Sequence, residues 1–190
     1  MDIVRLLALS GSLRKVSYNT AALKALQALA PGHVRIEIGE IGGLPLFNPD
    51  REDESIPALR ALESSLRQAD GLIVASPEYA HGISGPMKNA LDWLVGGMEF
   101  PHKPIMLVNT SPRASHAQAA LKEVLTTMSG DVIDDAYTSV PLLGSGLGTQ
   151  SIVEDPAIAG ALLGGLSTFC RAIHARRQAA TGIAHKANTA

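Results

Sequence analysis

The segment Ser10-Gly11-Ser12-Leu13-Arg14-Lys15-Val16-Ser17-Tyr18-Asn19 concentrates residue types suited to holding an anion. Gly11 lets the main chain turn closely, and the amides that follow it at a helix start point toward negative charge. Ser12, Ser17 and Asn19 add neutral donors, and Arg14 adds a charge-assisted contact that can be bidentate. The set suits a phosphate monoester. Each residue also has a plainer reading: Ser17 or Asn19 can cap a helix, and Arg14 can be a solvated loop charge. Their gathering in one loop favours the anion. The spacing is neither Gly-x-Gly-x-x-Gly nor the P-loop pattern ending in Gly-Lys-Ser/Thr, so the dinucleotide and nucleotide-triphosphate readings lose support.

Two further segments carry polar chemistry. The first is Ser76-Pro77-Glu78-Tyr79-Ala80-His81-Gly82, followed by Met87-Lys88-Asn89-Ala90-Leu91-Asp92-Trp93-Leu94. Glu78 reads equally as a loop hydrogen-bonding group, Tyr79 as a packed aromatic, and His81 as an isolated loop histidine. Trp93 flanks an apolar stripe and suits packing or a subunit contact, while Lys88 and Asp92 are spaced as a helix pair. The second is Asn109-Thr110-Ser111-Pro112-Arg113-Ala114-Ser115-His116. Other chemistries fail on spacing. His81-Gly82-Ile83-Ser84-Gly85 lacks the residue that a nucleophile elbow needs between serine and the second glycine. A phosphoreceiver domain needs carboxylates where Ser10 and Gly11 stand. The six histidines are scattered without paired ligand spacing, so no metal is expected.

These segments need a scaffold that brings them together. Short apolar runs (residues 3–9, 34–38, 72–75 and 105–108) alternate with helical patterns, through Ala22, Ala25, Leu26 and Leu29, then Leu59, Leu62 and Leu66, then Met87, Ala90, Leu91, Leu94 and Val95. Ala117, Ala120, Leu121, Val124, Leu125 and Met128 continue the series. A fifth strand is expected within 132–142, then a Gly-rich stretch, 144–148, and a last helix through Leu162, Leu166, Phe169, Cys170 and Ile173. Strand-helix alternation with short links predicts a three-layer α/β fold, a five-stranded parallel sheet with helices on both faces in the flavodoxin-like order. In such sheets ligands bind beyond the carboxyl ends of the strands, where all three polar segments fall.

The 190 residues fit one domain, expected over 1–180, with 181–190 as a flexible C-terminal tail. A chain of this size buries roughly 70% of its unfolded surface without needing a disulfide or structural metal. A net charge of −2 gives no case for nucleic acid or an anionic membrane, and no unbroken apolar run approaches a bilayer-spanning length. The single Cys170 and the strand-like N-terminus lead to the expectation of a cytoplasmic protein.

The first loop closely resembles the Gly-Ser-Leu-Arg-x-x-Ser-x-Asn signature of the NADPH-dependent FMN reductase family, which includes flavin, quinone, azo and chromate reductases. Ser76–Gly82 and Met87–Leu94 resemble that family's Pro-Glu-Tyr-Asn loop and Leu-Lys-Asn-Ala-Ile-Asp-Trp helix, and Leu44-Pro45-Leu46-Phe47-Asn48-Pro49-Asp50 its segment after the second strand. The resemblance runs from about Val4 to about Val108. It implies FMN as cofactor, NADPH or NADH as co-substrate, a small-molecule electron acceptor, and a homodimer or homotetramer. It places the flavin nucleotide against Ser10, Ser12, Leu13, Arg14, Ser17, Tyr18 and Asn19, against Pro77, Glu78, Tyr79, Ala80, His81 and Gly82, and against Thr110 and Ser111. No catalytic side chain is implied, because flavin N5 carries the chemistry. The chain departs from the family at Ala80, where Asn is usual, at Pro112 and Arg113, where glycines are common, and in its Ser84-Gly85-Pro86 order. An FMN-dependent NAD(P)H oxidoreductase acting on a quinone, flavin, azo compound or metal oxyanion is therefore expected. A flavodoxin-like electron carrier and a non-catalytic regulatory module on the same fold remain alternatives.

Overall fold

The sheet follows directly from the buried apolar runs. A computed structural model describes residues 3–187, with side chains through residue 179. Its strands are β1 (Val4–Ser10), β2 (Val34–Gly39), β3 (Gly71–Ala75), β4 (Glu78–Tyr79), β5 (Gly82–Ile83), β6 (Pro104–Asn109), β7 (Asp131–Val132) and β8 (Thr138–Ser139). Its helices are α1 (Tyr18–Leu29), α2 (Pro57–Gln68), α3 (Gly85–Leu94), α4 (Ser115–Thr127), α5 (Thr149–Glu154) and α6 (Pro156–Ala187). The main sheet is parallel in the order β2-β1-β3-β6, with β7 and β8 both pairing to the outer edge of β6. This is the flavodoxin-like order, with the fifth position shared by two short strands.

Alternation along β1 builds three layers. Leu6 and Ala8 join α1 and α6 through Ala22, Leu23, Leu26, Leu162, Leu166 and Phe169. Leu7 and Leu9 point the other way, into Leu59, Leu62, Leu66, Met87, Leu91, Leu121 and Leu125 of α2, α3 and α4. The central strands β3 and β6 are buried along their whole length, as strands covered on both faces must be.

Three features differ from the sequence pattern. The fifth strand is broken into β7 and β8 by a 3-10 turn at Asp134–Ala136. A two-stranded antiparallel hairpin, β4–β5, stands in the loop after β3. The helix α6 is 32 residues long, and its backbone runs to Ala187, past the expected start of the tail. Residues 188–190 of that segment lie outside the described residues. Within Pro156–Ala179 an 18-residue window reaches a mean hydropathy of 1.3, so this helix is long and apolar enough to cross a bilayer by length and composition alone. In the structure Leu162, Leu166, Phe169 and Ile173 of this helix are buried against the sheet, as in a core helix.

Candidate functional site

The chain reverses direction across the sheet between β1 and β3, and that is where the loops after β1, β3 and β6 meet. Ser10 at the end of β1 lies beside Ala75 at the end of β3, and the Gly11 amide donates to the Ala75 carbonyl at 2.8 Å. The Ser84 hydroxyl, fully buried, donates to the Gly11 carbonyl at 2.6 Å and caps α3 by accepting from the Met87 amide. A Cβ at Gly11 would lie 2.5 Å from Ser76 Oγ and 2.7 Å from Ser84 Oγ, so only glycine lets the first loop close on the second.

Within the first loop, Ser12 and Arg14 amides donate to Ser10 Oγ and Ser12 Oγ, giving a tightly wound turn. Ser17 caps α1, accepting from the Thr20 amide at 3.2 Å. The first-turn amides of α1 beyond the cap have no partner inside the helix. Asn19, nearly buried, accepts from Thr110 Oγ1 at 3.0 Å, tying the first loop to the third. There Asn109 Oδ1 accepts from the Ser111 amide, and the Thr110 carbonyl accepts from the Leu142 and Leu143 amides. The Tyr18 hydroxyl accepts from the Gly146 amide at 2.9 Å, which pins the Gly-rich stretch.

These loops surround a cavity of about 230 Å³. Of the residues expected at the site, Ser12, Arg14, Ser17, Tyr18, Asn19, Pro77, Glu78, Tyr79, Thr110 and Ser111 line it, together with Ser76, Arg113 and Leu143. The other expected residues sit outside its lining. Ser10 turns inward to Thr20 Oγ1 at 2.8 Å, Leu13 points to solvent, and Ala80, His81 and Gly82 form the far end of the hairpin. Ser76 and Arg113 lay inside segments already singled out by their position after a strand. Leu143 had no such signal.

The second loop is shaped by its carboxylate. Glu78 Oε2 accepts from the Ala117 amide in the first turn of α4 at 2.9 Å, and Oε1 pairs with His81 Nδ1 at 3.1 Å. The Ala117 amide, and after it the His81 ring, hold the Glu78 carboxyl below the usual carboxylate range against the opposing effect of burial. His81 stacks edge-on against His116, centroids 4.6 Å apart. A depressed carboxyl pKa means that this anchor is intact at neutral pH and is lost only as pH falls through the lowered value. The Glu78 contribution to FMN affinity is therefore expected to persist through the mildly acidic range, where protonation of the FMN phosphate at about pH 6 already weakens binding, and to be lost in a second limb at lower pH. In Glu78→Gln the lower limb alone should be missing from a fluorescence titration series, the phosphate limb remaining. An unchanged limb would put the titrating group elsewhere.

Ala80 and His81 have φ of 50° and 59°, the hand of a two-residue type I′ turn. Such turns favour Asn followed by Gly, and an alanine at positive φ carries strain of about 1 kcal/mol. Ala80→Asn is expected to stabilise the protein by about that amount in urea denaturation. A neutral or destabilising result would show that the turn relaxes out of the left-handed region.

The donor set fits a phosphorylated flavin. Ser12, Ser17 and Asn19 bring hydroxyl and amide groups, and Arg14 and Arg113 bring two guanidiniums that form no ion pair among the described residues. The one lining carboxylate, Glu78, is committed to Ala117 and His81. A dianion meets donors here and no repulsion from a free carboxylate. Among the described residues no group of three or more His, Cys, Asp or Glu is arranged to hold a metal ion.

Comparison with known proteins agrees with this geometry. The chain is 37% identical over 130 residues to an NAD(P)H-dependent FMN reductase of Pseudomonas aeruginosa, covering 65% of this chain and 70% of that protein. It is 31% identical over 142 residues to a quinone reductase of Escherichia coli K12, covering 69% and 74%. The solved structure of FerB, a flavoenzyme NAD(P)H:(acceptor) oxidoreductase from Paracoccus denitrificans, superposes with a TM-score of 0.70 at 25% identity, covering 89% of this chain and 98% of that one. A family model described as NADPH-dependent FMN reductase matches residues 4–142, the span from the start of β1 to just past β8. The chain belongs to the NADPH-dependent FMN reductase family.

Proposed function

We propose that this FMN-dependent NAD(P)H oxidoreductase passes hydride from NADPH or NADH to a quinone-class acceptor, the two substrates using one slot in turn. The observation that carries the reading is the cavity itself: three loops from separate strands converge on it and bring Ser12, Arg14, Ser17 and Asn19 together with Pro77, Glu78 and Tyr79 of the hairpin loop. FMN, when bound, supplies the two-electron hydride chemistry. Ser12, Arg14, Ser17 and Asn19 would hold its phosphate. Pro77, Glu78, Tyr79, Thr110 and Ser111 would border its ring, and the Glu78–Ala117 bond would keep the hairpin in place beside it. No side chain is assigned a catalytic proton. The quinone reductase among the relatives supports the acceptor class. Anaerobic stopped-flow mixing is expected to show NAD(P)H bleaching the yellow protein, with colour restored by a quinone. Failure to bleach at millimolar nucleotide contradicts the reading.

Arg113 offers a second cationic contact beyond the one that a flavin phosphate needs. The 2′-phosphate that distinguishes NADPH from NADH is the anion that it suits. Arg113→Ala is expected to raise KM for NADPH about tenfold through loss of a charged hydrogen bond, leaving KM for NADH unchanged. Equal changes for both nucleotides would place Arg113 on a part that they share. The apolar residues Leu13, Val16, Tyr79 and Leu143 are exposed on the site loops, which supports a homodimer or homotetramer in which a second copy covers the mouth. Sedimentation velocity tests that assembly. The single, buried Cys170 supports the reducing cytoplasm as its compartment.

A further inference from the structure

A second cavity lies at the opposite end of the sheet. It is bounded by the turn Pro31–Val34, which leads into the amino end of β2, and by α6. Its volume is about 350 Å³, within the range of small-ligand sites. Val34, Leu163, Leu166 and Cys170 give it apolar walls, while Arg171 and His174 stand beside them. None of the residues lining it carries a carboxylate. The Nε2 atom of His174 is buried and has no hydrogen-bond partner. The Arg171 guanidinium spends one nitrogen on Thr168 Oγ1 of its own helix and pairs with no carboxylate among the described residues.

An apolar slot with the Arg171 guanidinium beside it complements a molecule with an apolar body and an anionic head. We infer that this cavity binds a small amphipathic carboxylic acid, its chain or ring against Val34, Leu163 and Leu166 and its carboxylate on Arg171. The site is independent of the flavin pocket, which opens at the other end of the strands. Occupancy ties α6 to the β2 edge, so binding stabilises the folded state by mass action.

The test uses the FMN-loaded protein with sodium octanoate as probe and 1-octanol as its uncharged counterpart. Cys170, the only cysteine of the chain, reports directly. Burial pushes its thiol up to about 11, so alkylation by iodoacetamide is slow and readily timed. Octanoate is expected to raise the melting temperature saturably, to slow Cys170 alkylation about tenfold and to leave the flavin spectrum unchanged. Octanol should need about tenfold more to match it, because the charged contact is missing. Arg171→Glu, at an exposed position bonded only within its helix, should remove the octanoate effect and spare that of octanol. Equal potency of acid and alcohol, an unaltered response in Arg171→Glu, or no effect of octanoate overturns the inference. Alkylation that quickens on dilution also overturns it, since a second copy of the chain would then be what covers the cavity.

Discussion

Gly11→Ala is expected to cost about 2–3 kcal/mol of folding stability and to weaken FMN binding at least about a hundredfold. The added Cβ would sit 2.5 Å from Ser76 Oγ and 2.7 Å from Ser84 Oγ, distances that no packed carbon tolerates. Neither hydroxyl is free to withdraw. Ser76 and Ser84 are both buried, and Ser84 simultaneously serves the Gly11 carbonyl and the first turn of α3. Relief therefore requires the first loop to lift away from the second. That breaks the Gly11–Ala75 and Ser84–Gly11 hydrogen bonds and swings Ser12 and Arg14 out of register with Asn19. Urea denaturation reports the stability term and flavin fluorescence quenching the affinity term. A variant that binds FMN within twofold of the parent would mean that the loop has room which the geometry denies.

Arg14→Ala separates affinity from folding. The side chain is exposed, pairs with no carboxylate among the described residues and lines the cavity, so its loss should leave stability unchanged. Removing one charged hydrogen bond to a phosphate costs about 1.5–3 kcal/mol, which raises the FMN dissociation constant roughly 10- to 150-fold. Riboflavin, which lacks the phosphate, is the internal control, and its affinity should not move. Arg14→Lys should recover part of the loss, since an ammonium supplies charge without the planar fork. If FMN and riboflavin weaken together, Arg14 acts on the ring or on the loop, and the phosphate is held by other groups.

The parts of the site legible in the sequence are those fixed by strand position. A loop that follows a buried strand in a parallel α/β sheet must emerge at the carboxyl end, so Ser12–Asn19, Pro77–Tyr79 and Thr110–Ser111 were bound to converge. The internal use of particular side chains was not legible. Ser10 and Ser12 look alike in sequence, yet Ser10 turns to Thr20 while Ser12 lines the cavity, because β1 ends at Ser10 and the bend at Gly11 cancels the shared face that residues two apart have in a strand. Leu143 reaches the site only because the Leu142 and Leu143 amides find the Thr110 carbonyl, a long-range backbone pairing with no side-chain signature. The β4–β5 hairpin was hidden for a related reason: Ala80-His81 is a poor type I′ pair, so the usual Asn-Gly signal is missing. The broken fifth strand and the six-residue α5 are too short for periodicity to show.

A crystal structure of the FMN complex tests the central claim most directly. The phosphate is expected within hydrogen-bonding distance of the side chains of Ser12, Arg14, Ser17 or Asn19 and of the amides that open α1. Density for the phosphate on any other face of the protein, with this loop free of it, contradicts the account.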